Sequence, residues 1–180
     1  MKITELSIPD LLLIEPAVFE DDRGYFMESY NEAKFAEATG IQVQWIQDNE
    51  SQSNKNVLRG LHLQKEPYAQ AKLVRVIRGS VLDVAVDLRS GSKTFGHHVS
   101  AVLSGENRHQ LYIPEGFAHG FLVLEDHTVF AYKCSGYYHK ASEVCVQWND
   151  EAIGINWGIT SPILSEKDEK FALNLSALIQ

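Results

Sequence analysis

Lys72-Leu73-Val74-Arg75-Val76-Ile77-Arg78-Gly79-Ser80-Val81-Leu82-Asp83-Val84-Ala85-Val86-Asp87-Leu88 contains two β-branched runs divided at Gly79. Runs of this length and composition, bounded by glycine and serine, read as strands: Lys72–Ile77 and Val81–Leu88, the second closed by Ser90-Gly91. Similar signals recur over His97–Leu103, Gln110–Ile113, Phe121–Leu124, Thr128–Cys134 and Val144–Trp148. Helical signals are sparse. Asn31 suits the cap of a short helix over Glu32–Ala38 that Gly40 ends, and a second short helix starts at Ser165. Many short strands at nearly even spacing predict an all-β protein, a double-sheet jelly roll with a few short peripheral helices.

The faces of these strands carry chemistry. Leu82, Val84, Val86 and Leu88 share one face, while Asp83 and Asp87 share the other with Val81 and Ala85. In Thr128–Cys134, Tyr132 lies on one face with Thr128, Phe130 and Cys134. If these faces point into the barrel, the interior is a lined cavity with ionisable groups that need partners; if outward, they are wetted surface. Upstream, Val57-Leu58-Arg59-Gly60-Leu61-His62-Leu63-Gln64 also reads as a strand. A period of two places His62 with Gly60 and Gln64, opposite Leu61 and Leu63. An imidazole held on a strand suits proton transfer, and equally suits a satisfied core histidine.

Pro114-Glu115-Gly116-Phe117-Ala118-His119 suits a turn that delivers His119 to the start of the next strand. This P-x-G-x-x-H pattern resembles the second half of the cupin signature, where the histidine binds metal. The first half requires a histidine where Gln64 stands, and an amide is a poor transition-metal ligand. The expectation is therefore no metal and no cofactor, with His119 donating a hydrogen bond to substrate. Ser165-Glu166-Lys167-Asp168 reads either as a helix cap or as the site of a carboxylate that orients an imidazole.

Composition bounds the function. The 180 residues suit one domain, 1–180, with a full hydrophobic core. Sixteen basic residues against 24 acidic ones, a net charge of -8, argue against nucleic-acid binding. An anionic small molecule would need a local cluster, and Lys72, Arg59 and Arg23 are candidates; Arg75 and Arg78 read as solvated edge charges. Cys134 and Cys145 form no CxxC pattern and read as buried thiols of a reducing compartment. The N-terminal apolar run is short and broken by Glu15-Pro16. The reading is a cytoplasmic protein with no membrane segment.

In order along the chain, Phe19–Glu28, Gln47–Ser51, Leu58–His62, Ala69–Arg75, Asp83–Asp87, Ile113–Phe121, Tyr132-Lys133, Tyr137-Tyr138 and Ser165–Asp168 resemble the dTDP-4-dehydrorhamnose 3,5-epimerases. The family consists of cupin-like jelly-roll isomerases that work as metal-free homodimers. The resemblance implies that His62 is the general base, Asp168 its orienting partner, Tyr132 the general acid and Lys72 the cation beside the C4 oxygen. It implies substrate contacts from Arg23, Glu28, Gln47, Asp48, Asn49, Arg59, His119, Glu143 and Lys167, and nucleotide contacts from Phe26 and Tyr138. Arg23 and Glu28 would reach across the dimer. Asp83 stays open as the alternative partner of His62. The implied substrate is a dTDP-4-keto-6-deoxy sugar, inverted at C3 and C5; inversion at one centre, ketoisomerisation, a metal-dependent oxygenase and a non-catalytic sugar-binding cupin are the alternatives. Departures are Leu63 where an aromatic is common, Lys65-Glu66-Pro67 in place of a more apolar turn, and a short tail ending at Gln180.

Overall fold

Every strand pairing between the named strands is antiparallel, and two sheets face each other. A computed structural model describes residues 1–178; the last two positions of the expected domain, with the chain end at Gln180, lie outside the described residues. The six-stranded sheet runs β1 (Lys2–Glu5), β2 (Leu12–Glu15), β10 (Gln110–Ile113), β7 (Lys72–Arg78), β12 (Thr128–Cys134), β5 (Gln47–Ser53). The five-stranded sheet runs β13 (Glu143–Cys145), β6 (Leu58–Gln64), β11 (Phe117–Val123), β8 (Ser80–Asp87), β9 (His98–Ser104). From β5 onward the chain passes from sheet to sheet at nearly every connection, which is a jelly roll. A separate hairpin, β3 (Val18–Asp21) and β4 (Gly24–Met27), precedes helix α1 (Glu32–Thr39).

Three apolar layers hold the sheets. Between them, Val74, Val76, Val81, Ala85, Leu111, Phe121 and Phe130 pack together, with the rings of Phe121 and Phe130 stacked at 4.0 Å. Behind the five-stranded sheet, Val84, Val86, Leu58 and Leu61 meet Val146, Ile153, Trp157 and Leu175 of the C-terminal segment. Behind the six-stranded sheet, Leu12, Ile14, Leu73 and Tyr112 meet Phe35 of α1. Strand β8 is thus buried on both faces, which explains its unbroken apolar run. Helix α1 is capped as expected: Asn31 Oδ1 accepts from Lys34 N at 3.1 Å, and Gly40 closes the helix at φ 71. Such a cap contributes about 1 kcal/mol.

The structure corrects several boundaries. His119 lies inside β11, which begins at Phe117, because Pro114–Gly116 already completes the turn. Strand β13 stops at Cys145, short of Trp148; beyond it Val146 still exchanges backbone hydrogen bonds with Leu61 and bridges Leu173. Strands β1 to β5 went unread. β5, Gln-Asp-Asn-Glu-Ser-Gln-Ser, has no β-forming composition and owes its conformation to pairing with β12 along its whole length.

Candidate active site

One face of each sheet carries polar groups at one end of the sandwich, and they line a cavity of about 840 Å³. Register places them. In the six-stranded sheet Cys134 pairs with Lys72 and Gln47, and Tyr132 pairs with Val74 and Asn49. Lys72, Tyr132, Cys134, Gln47 and Asn49 all line the cavity. In the five-stranded sheet His62 pairs with His119 on one side and Cys145 on the other, while Glu143 pairs with Gln64. His62, His119, Gln64, Glu143 and Arg59 line the same cavity from across.

Arg59 reaches that face through a bulge. Simple alternation puts Arg59 opposite His62, but the β6–β11 register shifts between His119 and Phe121, which pair with His62 and Arg59. Three residues on β6 then span two on β11, and both Arg59 and His62 turn inward. The hinge is Gly60, at φ +118; a Cβ there would lie 2.6 Å from Gly120 Cα and 2.7 Å from the His119 carbonyl oxygen. Only glycine fits that backbone and that approach.

His62 is held by Asp168. Its Nε2 hydrogen-bonds Asp168 Oδ1 in a short contact, and Ser165 Oγ donates to Asp168 Oδ2 at 2.7 Å. The same Ser165 Oγ accepts from Asp168 N and caps helix α2 (Glu166–Lys170), so cap and orienting carboxylate coexist. Burial works to raise the Asp168 pKa, but the His62 and Ser165 hydrogen bonds and the nearby Lys167 outweigh it and hold the carboxyl below its ordinary range. Asp83 serves another histidine: both its oxygens meet His119 Nε2, at 3.1 and 3.0 Å, and it is wholly buried. The β8 polar face therefore points inward, Asp83 to the cavity end, and Asp87 to Arg89, Ser92 and Thr94 of the following loop.

Burial pushes the Tyr132 phenol pKa up and the Lys72 ammonium pKa down. Glu143 joins helix α2 to the loop after β12 at the rim, accepting from Lys167 Nζ at 2.7 Å and from Tyr138 Oη at 3.0 Å. Gln64 acts as a clamp that the sequence did not disclose. Its Nε2 donates to the carbonyls of Tyr68 and Tyr137, and its Oε1 accepts from His139 N at 2.7 Å. With that amide committed and His119 Nε2 given to Asp83, positions 62, 64 and 119 do not assemble the cupin ligand set.

Four expected contact residues lie elsewhere in this chain. Asp48 is on the outward face of β5, where alternation turns it from the cavity, and accepts from Lys133 Nζ at 2.9 Å. Arg23, Phe26 and Glu28 belong to the β3–β4 hairpin and its exit. Arg23 pairs with Asp21, Phe26 is 65% exposed, and Glu28 is bound by Lys34 and Asn31. They do not line this chain's cavity.

Fold and site together define a cupin-like jelly roll whose cavity opposes a carboxylate-bound imidazole to a half-buried phenol. The chain belongs to the dTDP-4-dehydrorhamnose 3,5-epimerase family, whose profile matches residues 5–174. It is 54% identical over 168 residues to the dTDP-4-dehydrorhamnose 3,5-epimerase of Shigella flexneri, covering 93% of each chain. The crystal structure of the Elizabethkingia anophelis dTDP-4-dehydrorhamnose 3,5-epimerase superposes with a TM-score of 0.93 at 52% identity, over 98% of this chain and 97% of that one. The Legionella pneumophila dTDP-6-deoxy-D-glucose-3,5-epimerase, solved with dTDP-4-keto-L-rhamnose, gives 0.93 at 46%, over 99% and 94%.

Proposed function

We propose that this chain inverts C3 and C5 of dTDP-4-dehydro-6-deoxy-D-glucose, yielding dTDP-4-dehydro-L-rhamnose for dTDP-L-rhamnose synthesis. The observation that carries the reading is the single cavity into which His62–Asp168 projects from one sheet and Tyr132 and Lys72 from the other. The C4 ketone acidifies the hydrogens on both neighbours, because either carbanion delocalises onto the same oxygen as an enolate. One base and one enolate site thus serve both centres.

Asp168 accepts the Nε2 proton of His62, which leaves Nδ1 as the basic nitrogen that takes the proton from carbon. Tyr132 returns a proton from the opposite face; burial keeps its phenol protonated until it is needed. Lys72 faces the C4 oxygen. Its burial disfavours the charge before reaction, and the enolate's developing negative charge restores it, so the contact is strongest in the transition state. Arg59 and Lys167 suit the diphosphate, Gln47 and Asn49 the sugar, His119 a substrate oxygen, and Tyr138 the base.

The same reading takes residues 1–180 as one domain acting in the cytoplasm as a homodimer. The hairpin bearing Arg23, Phe26 and Glu28, with Phe19 and Tyr25 also exposed, supports its reaching a partner's cavity. No helix among the described residues is long and apolar enough to cross a membrane. Incubation with substrate, a rhamnose-forming reductase and NADPH tests the function. Formation of dTDP-L-rhamnose is expected; a sugar inverted at one centre only, or a shifted ketone, would contradict double epimerisation.

A further inference from the structure

Cys145 has no part in the reaction above, yet it lies against the base. It pairs directly with His62 across β13 and β6, and a ring nitrogen of His62, a carboxylate oxygen of Asp168 and Cys145 Sγ all lie within 4.8 Å of one another. Imidazole, carboxylate and thiolate are the ordinary ligands of Zn²⁺, which binds each at about 2.0–2.3 Å and keeps an open position for water when the protein supplies three. We propose that His62, Cys145 and Asp168 form an inhibitory site for a thiophilic divalent cation such as Zn²⁺.

The proton balance explains why the ion inhibits. The Nε2 proton that His62 donates to Asp168 moves to Nδ1, freeing Nε2 and the carboxylate to bind the ion. The Cys145 thiol loses its proton to solvent as it ligates. With Nδ1 protonated, the imidazole has no lone pair with which to remove a proton from the sugar. The neighbouring positive charge, Lys167, is already paired with Glu143 and opposes the ion only weakly. This arrangement differs from a cupin metal centre: it recruits neither position 64 nor His119, both committed to other partners.

The inference that binding inhibits rests on the reading of His62 as base, whereas the metal site itself does not. Co²⁺ added to the full, chelator-treated protein should produce a thiolate-to-cobalt band in the near ultraviolet, and Zn²⁺ should abolish epimerisation reversibly. Cys145→Ser and Cys145→Ala should both keep the basal activity, which shows them folded, lose the band, and need at least about tenfold more Zn²⁺ for half inhibition. No band, or unchanged Zn²⁺ inhibition in both variants, would overturn the site. A cysteine-dependent band with full activity retained would uphold the site and overturn the role of His62.

Discussion

At His62 proton abstraction needs two separable things, a base and a fixed tautomer. Asp168→Asn keeps the size of the side chain but removes the negative charge that stabilises the imidazolium, and its amide can present a donor to Nε2 and so favour the wrong tautomer. It should lower kcat about 10²-fold with little change in KM, measured by steady-state kinetics. Lys72→Met should lower kcat by about 10²–10³, because it removes a contact that strengthens as the enolate forms. In the parent enzyme the alkaline limb of kcat/KM, which follows the free enzyme, should begin below the usual lysine pKa, since burial lowers that of Lys72 and the ammonium is lost as pH rises through the lowered value. Lys72→Arg should move the limb upward. At this scale the strand period shows which residues share a face, His62 with Gly60 and Gln64 and Tyr132 with Phe130 and Cys134, but only the packing of the two sheets turns those faces, and Lys72, toward the cavity. Asp168 was ambiguous because Ser-x-x-Asp serves as a cap whether or not the carboxylate has a second partner, and that partner lies 106 positions away.

Among the elements, β6 shows where period-two reasoning stops. Its bulge resets the phase, so that Arg59 joins His62 in the cavity, and nothing in a single strand's composition marks the event except a glycine. Gly60→Ala should lower stability by about 3 kcal/mol or more in urea unfolding, because both the positive φ and the close approach to Gly120 are violated. Asp87 anchors a different element. Its buried carboxylate gathers Arg89, Ser92 and Thr94, and those bonds outweigh the opposing effect of burial to place its pKa far below the carboxylate range. Asp87→Ala should cost about 3–5 kcal/mol by the same measurement, as Arg89 and two hydroxyls lose their partner. Strand β5 gives no sequence signal for a related reason. β5 is polar at every position, and its partner β12 dictates its extended form.

For the whole molecule, the jelly roll was legible because its strands are short, nearly evenly spaced and separated by turn residues. Its composite site was less so. Arg23, Phe26 and Glu28 sit on a hairpin that does not reach this chain's cavity, so the proposed homodimer makes a definite claim. Mixing inactive His62→Ala and Arg23→Ala subunits should restore activity, since half the sites in a mixed dimer receive both intact residues. Absence of any recovery, with mixed dimers shown by sedimentation, would contradict a shared site.

The opposition of His62 and Tyr132 across one sugar ring is tested most directly by following deuterium from solvent into C3 and C5 of the ketosugar by NMR. The parent enzyme should label both positions, His62→Ala neither, and Tyr132→Phe should keep much of the exchange while losing inversion. Undiminished labelling by His62→Ala, or equal loss of exchange and inversion in Tyr132→Phe, would contradict the assignment of base and acid.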